Sequence, residues 1–254
     1  MISIEDLKRM ARLKGLSLGY AEKDYVIDIA LLSISRNTKD ELIFKGGTCL
    51  HKIYRMDRFS EDIDFTMAKK IDIDIVIKKI ISDLSAFGIE ANIRNEKKIS
   101  DSMTLAIRTK GPLYKGVPQS FSNIKMDVNA KSTIEMEPNV ARYASMYPDI
   151  PGFSLLAMQE KEILAEKIRA VMTRTKARDV YDLWFLFSKG VKFGLELVKK
   201  KLEYYNERWS RSRFEKGLKI SKAVWESELR PLVPDAPDFS EVKKLIIGGI
   251  KAGS

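Results

Sequence analysis

The sequence predicts an α+β protein in which a mixed-sheet core over residues 1–150 is followed by a helical domain over 151–254. Three observations carry that expectation. Between residues 41 and 130, short runs of alternating apolar and polar residues, the period of a strand, are interleaved with helical runs. The segment MYPDIPGF, with Pro148, Pro151 and Gly152, then interrupts the pattern. Beyond it the apolar spacing is almost wholly helical. A chain of 254 residues can bury a substantial core as one large domain or two modest ones.

Taken in order, residues 3–14 and 21–36 read as helices, the second with inward-packing apolar residues at 25, 26, 29, 30, 32 and 34. A short strand at 41–45 leads into the pair Gly46–Gly47 and a helix from Thr48 to about Arg55. A second strand covers 61–66. IDIDIVIKKIISDLSAFG starts with alternation but continues as an amphipathic helix, for which Gly88 is the stop. Residues 89–95, 102–110 and 121–130 carry strand patterning, with GPLYKGVPQS as the turn between the last two. Helices are then expected at 157–174, 178–188, 194–208, 210–229 and 239–250.

Residues 44–65, FKGGTCLHKIYRMDRFSEDIDF, carry the chemistry. Glycines without Cβ let the chain turn sharply and bring backbone N–H groups up to a phosphate. Asp62 and Asp64 alternate with Ile63 and Phe65, so on a strand both carboxylates face one side. Two adjacent hard oxygen donors suit Mg²⁺, which takes one or two carboxylates together with substrate phosphates. Alone, such a pair reads as a solvated strand edge. Asp127, in SNIKMDVNA, alternates with Met126 and Val128 and supplies a third carboxylate. A trio of this kind is what two-metal phosphoryl chemistry requires.

Composition narrows the alternatives. No apolar run approaches the roughly 20 residues that span a bilayer, and the N-terminal stretch MISIEDLKRMARLKG has acidic residues and lacks a signal-peptide apolar centre, so a cytoplasmic protein is expected. One cysteine, Cys49, excludes an internal disulfide. One histidine, His51, with one cysteine cannot build a zinc cluster and leaves little scope for Ser–His or Cys–His catalysis. The net charge is +10, and between Lys189 and Lys222 eleven Lys or Arg stand against four Glu. Phe193, Tyr204, Tyr205, Trp209 and Phe214 interleave with them. Such a segment can contact phosphates and stack on bases, or it can be an amphipathic surface with its aromatics in the core.

A second cluster lies in EKEILAEKIRAVMTRTKARDVYDLWFLF. Lys167 stands at the edge of a mostly apolar helix, a place from which it could reach triphosphate oxygens. Arg178, Asp179 and Asp182 follow a basic turn, with both acids on one helical face. A salt-bridge network internal to the domain is the competing reading.

KGGT at 45–48, RFSEDIDF at 58–65, IKMDV at 124–128 and AEKIRA…RDVYDLW at 165–184 together resemble the AbiEii family, as does EKDY at 22–25. This family is a branch of the DNA polymerase β-like nucleotidyltransferases that includes toxins of type IV toxin–antitoxin systems and the MenT toxins. The resemblance covers roughly residues 20–190 and implies a nucleotidyltransferase core followed by the helical domain. It implies that Lys45, Gly46, Gly47, Thr48, Arg58 and Ser60 face the triphosphate. It makes Asp62 and Asp64 metal ligands, and Asp127 a third ligand or the base for the incoming hydroxyl. Lys167, Arg178, Asp179 and Asp182 match motifs associated with nucleotide contact and activity.

The function so implied is transfer of a nucleoside monophosphate from an NTP, with Mg²⁺ or Mn²⁺, to an acceptor such as the 3′ end of a tRNA, as a toxin with a cognate antitoxin protein. Two alternatives stay open: an NTP-binding protein or protein-modifying enzyme without RNA transfer, and a plain nucleic-acid-binding module with structural carboxylates.

Overall fold

The computed structural model describes residues 1–99, 102–233 and 235–253. The chain divides into two compact units. Unit 1 comprises Met1–Ile53, Ser60–Thr133 and Pro138–Ala157; unit 2 comprises Tyr54–Phe59, Ile134–Glu137 and Met158–Ser254.

Unit 1 begins with α1 (Ile4–Lys14), capped by the Ser3 side chain accepting from the Asp6 N–H and closed by Gly15 at φ 63°. Next comes α2 (Leu18–Asn37), whose residues from Val26 to Ile34 are all buried. The strands and helices that follow are β1 (Leu42–Lys45), α3 (Gly46–Lys52), β2 (Asp62–Met67), α4 (Ile73–Ala86), β3 (Glu90–Ile99), β4 (Ser102–Lys110), β5 (Ser122–Asn129), β6 (Asn139–Tyr143) and β7 (Phe153–Ala157). Asp72 caps α4, and Gly88 at φ 78° stops it. Strand order is β3-β4-β5-β2-β1-β7-β6. The β2/β5 and β1/β7 pairs are parallel and the others antiparallel, so the sheet is mixed. Its covered face carries Ile63, Phe65, Leu105, Ile107, Ile124 and Met126, all essentially inaccessible, packed under α2 and α4.

Unit 2 holds α5 (Glu160–Thr173), α6 (Ala177–Ser188), α7 (Leu195–Glu203), α8 (Arg211–Ser221), α9 (Trp225–Leu229) and α10 (Phe239–Ala252). Among the described residues no helix is long and apolar enough to cross a membrane.

Three local expectations are corrected. The helix after the glycine pair starts at Gly46 itself and ends at Lys52, and Arg55 lies in the left-handed region at φ 64°. Pro148, Pro151 and Gly152 punctuate the loop between β6 and β7, two antiparallel strands of one sheet, so unit 1 runs past residue 150 to Ala157. The run 210–229 is broken by a 3₁₀ turn at Lys222–Val224.

Candidate active site

In unit 1 the sheet carries four of the sequence-predicted site residues, Lys45, Asp62, Asp64 and Asp127, on one face. Asp62 and Asp64 sit on β2, half-buried, while Ile63 and Phe65 point into the core. The parallel register sets Asp64 opposite Asp127 of β5, and Asp62 opposite Lys125. Facing residues on adjacent strands share a side of the sheet, so the three carboxylates lie on one face, Asp64 directly beside Asp127. Asp127 accepts a hydrogen bond of 2.7 Å from Thr104 Oγ1 of β4, which orients its carboxylate. On the other flank β1 places the buried Lys45 opposite Asp64. Among the described residues no three His, Cys, Asp or Glu side chains are gathered as a ready-made metal cage.

Gly46 is where the backbone requires glycine. Its φ is 75°, and a Cβ built there would lie 2.9 Å from Asp64 Cγ. The first peptide of α3 therefore lies directly against the carboxylate strand. Thr48, fully buried, donates its hydroxyl to the Asp62 carbonyl and shares a 2.9 Å hydrogen bond with Ser60 Oγ. Both hydroxyls brace the glycine turn against the entry to β2.

The far end of α3 is fixed by a buried charge network. Lys52 Nζ donates to Asp24 Oδ1 at 2.6 Å and to Asp28 Oδ1, both on α2. Lys14 pairs with Asp24, and Tyr143 and Ser145 donate to Asp28 at 3.1 and 2.6 Å. Burial alone would raise the Asp24 carboxyl, but Lys52 and Lys14 outweigh it and hold it well below the usual range. Burial dominates at Asp28 and pushes it up, against the pull of Lys52. The EKDY segment is the hub of this unit. Glu22 accepts from the Leu113 N–H at 2.6 Å, Lys23 pairs with Glu61 beside Asp62, Asp24 meets Lys52, and Tyr25 donates to Asp149 at 2.5 Å.

Unit 2 assembles the other motif residues separately. Arg58 is buried and donates through Nε and Nη2 to Asp182 Oδ1 at 3.0 and 2.8 Å. Lys167 Nζ donates to Asp179 Oδ1 at 2.9 Å and forms an ion pair of 2.6 Å with Asp182 Oδ2. Arg174 adds a two-pronged contact to Asp179, at 2.8 and 3.0 Å. Burial would raise Asp179, but Lys167 and Arg174 override it and hold the carboxyl far below the ordinary carboxylate range. Burial lowers Lys167, and the two aspartates more than restore it. The ammonium thus sits between two carboxylates inside the unit, which favours the salt-bridge reading. Arg178 is half-buried and outside this cluster, with no ion pair among the described residues.

Across residues 30–245 the chain matches the family model for the nucleotidyl transferase AbiEii toxin of type IV toxin–antitoxin systems. The chain belongs to the AbiEii family. It is therefore a nucleotidyltransferase of the toxin class. Solved structures share the fold at low sequence identity. MenT4, a nucleotidyltransferase toxin from Mycobacterium tuberculosis H37Rv, aligns with a TM-score of 0.72 at 18% identity, covering 97% of this chain and 89% of that one. JHP933 from Helicobacter pylori gives 0.66 at 21% identity, covering 94% and 93%. A putative nucleotidyltransferase from H. pylori gives 0.65 at 19% identity, covering 94% and 96%. No curated protein matches in sequence.

Within the AbiEii chain, the basic helical segment is less open than its composition implies. Phe193 and Phe214 are buried, and Trp209 packs against both with ring centroids 5.7 and 5.8 Å apart. Tyr205 lies under the Arg169 guanidinium at 3.8 Å. Lys201 is fully buried in an ion pair with Glu162. Sequence reasoning did not find the Lys52–Asp24–Asp28 network. Its one signal was two acids spaced i, i+4, the second inside the otherwise apolar run 25–32, where a buried charge has to be paired.

Proposed function

We propose that this AbiEii nucleotidyltransferase moves a nucleoside monophosphate from an NTP to RNA, with the 3′ end of a tRNA as acceptor, and releases pyrophosphate. The observation that supports it most is the packing of Gly46 against Asp64: a phosphate-approaching turn and a carboxylate strand share one spot. Lys45, Gly46 and Gly47 take the triphosphate, the lysine by charge and the glycine turn by its N–H groups. Thr48 and Ser60 hold that turn in place rather than touching phosphate themselves.

Asp62 and Asp64, with Asp127 in register, form an all-oxygen donor set that fits Mg²⁺ or Mn²⁺. A cation held there would share its coordination with nucleotide phosphates. When bound, that cation supplies neutralisation of the triphosphate charge. Asp127, oriented by Thr104, accepts the proton of the acceptor hydroxyl. The protein's contribution is position and fixed charge, as for phosphoryl transfer generally.

In unit 2 the cluster of Arg58, Lys167, Asp179 and Asp182 acts as scaffold, and Arg178 is the motif residue that keeps solvent contact to meet phosphate. The biological setting is the cytoplasm, with a cognate antitoxin as protein partner. The test is to incubate the protein with Mg²⁺, each NTP radiolabelled at its α-phosphate, and total RNA. Label in the tRNA fraction, lost in Asp62→Asn, is the expected result. Label on protein favours protein modification, and no label anywhere contradicts transfer.

A further inference from the structure

The face of the sheet that bears the carboxylates continues across β4 and β3, and its cross-strand rows can be read from the register. One row runs Asp64, Asp127, Thr104, Lys97. The next runs Asp62, Lys125, Ala106, Arg94, and a third holds Asn123, Arg108, Asn92. Asn92, Arg94, Lys97, Asn123 and Lys125 are exposed, whereas the opposite face of β4 and β5 is buried under α2 and α4. Among the described residues Arg94, Lys97 and Lys125 form no ion pair. Glu90, at the far edge, is already paired with Lys110. In the basic helical segment six of the eleven cations, Lys189, Lys199, Lys200, Lys201, Arg211 and Arg213, have carboxylate partners.

An aromatic cluster borders the basic rows. Arg108 lies 3.6 Å over the ring of Phe121, the Phe121 and Tyr114 centroids are 4.8 Å apart, and Lys110 is 5.5 Å from the Tyr114 ring. Beside it a cavity of about 310 Å³ is lined by Tyr20, Lys23, Gln119, Ser120 and Phe121. Lys23 pairs with Glu61, the neighbour of Asp62, so the cavity adjoins the start of the carboxylate strand.

We propose that this open face of β3, β4 and β5 is the docking surface for the acceptor strand: a single-stranded RNA whose phosphates lie along Lys125, Arg94, Lys97 and Arg108, and one of whose unpaired bases stacks at Phe121. The proposal rests on the reading of Asp62, Asp64 and Asp127 as the transfer site. At about 4.8 Å per strand, the row from Asp64 to Lys97 spans roughly 15 Å, so the cations begin next to the carboxylates and lead away from them. Cations hold the backbone without regard to sequence, and aromatic faces hold bases only where those are unpaired.

The test is fluorescence anisotropy with a short fluorescein-labelled single-stranded RNA across a salt series, with NTP binding measured on the same preparations. Arg94→Glu with Arg108→Glu is expected to weaken RNA binding about tenfold or more and to flatten the log–log salt slope by about 1.4, two contacts at about 0.7 each. Their NTP binding stays intact, which shows that the fold survives. Lys216→Glu with Lys219→Glu on α8 is expected to change RNA affinity less than about twofold. The proposal is overturned if the α8 pair weakens binding and the sheet pair does not, if duplex RNA competes as well as single strands, or if the wild-type protein binds no RNA. Loss of NTP binding in the wild-type protein, with RNA binding intact and dependent on Arg94 and Arg108, would remove the transfer reading and leave this surface standing.

Discussion

At Gly46 two independent constraints fall on one residue: a positive φ that disfavours any Cβ, and the Asp64 carboxyl where that Cβ would go. Gly46→Ala is therefore expected to cost about 1–2 kcal/mol in backbone strain and to displace Asp64. NTP transfer should fall far more than stability does, compared by urea unfolding and labelled-NTP assay. Lys167 gives the opposite expectation. It is an ion-pair partner of two buried carboxylates, so Lys167→Met should destabilise by about 3–5 kcal/mol, as for one member of a buried pair. Its effect on NTP affinity in the folded protein should be small. A variant with unchanged stability and lost NTP affinity would return Lys167 to the phosphate-binding group. The sequence showed which carboxylates of unit 1 share a face, because alternation on β2 and β5 decides it. It could not show what Lys167 touches, since partner choice across helices depends on packing that periodicity does not encode.

At the scale of elements, the glycine helix α3 is only seven residues long and is held at both ends, by Thr48 on the Asp62 carbonyl and by Lys52 on α2. Its short length leaves it dependent on those anchors. In unit 2, α8 approaches α5 so closely at Gly217 that a Cβ would lie 3.0 Å from the carbonyl carbon of Val171. Backbone cannot move aside as a side chain can. Gly217→Ala should thus destabilise by about 1–3 kcal/mol through overpacking, despite the better helix propensity of alanine. A gain in melting temperature would contradict the close approach. Most helices and the strands from β1 to β5 were legible from period alone. β6 and β7 were not: NVARY is largely exposed and FSLLA short, and the prolines between them read as a boundary when they mark a hairpin loop. The break after Ser221 was also hidden, because the apolar spacing continues through it to Trp225 and Leu229.

For the whole molecule, acid is the informative perturbation. Asp24 in unit 1 and Asp179 in unit 2 both have carboxyls held below their ordinary value. Groups of this kind contribute stability above the unfolded-state value of about 3.9, and that contribution is lost as pH falls toward the folded value. Asp28 acts in the opposite sense, since its raised carboxyl is relieved on protonation. Unit 1 should therefore lose less stability than unit 2 below about pH 4. The tryptophans, Trp184, Trp209 and Trp225, all lie in unit 2, so their fluorescence isolates its transition from the circular dichroism of the whole chain. Tryptophan signals that change after the dichroism on acidification would contradict this order.

The central claim is that Asp62 and Asp64 beside Gly46 are a transfer site and not structural carboxylates. The measurement that tests it most directly is pyrophosphate release from NTP with Mg²⁺ and RNA, for the wild type and for Asp64→Asn, alongside the melting temperature of each. A loss of activity on the order of 100-fold or more, with little change in melting temperature, is the predicted result. Retained activity, or a loss that simply follows unfolding, would contradict it.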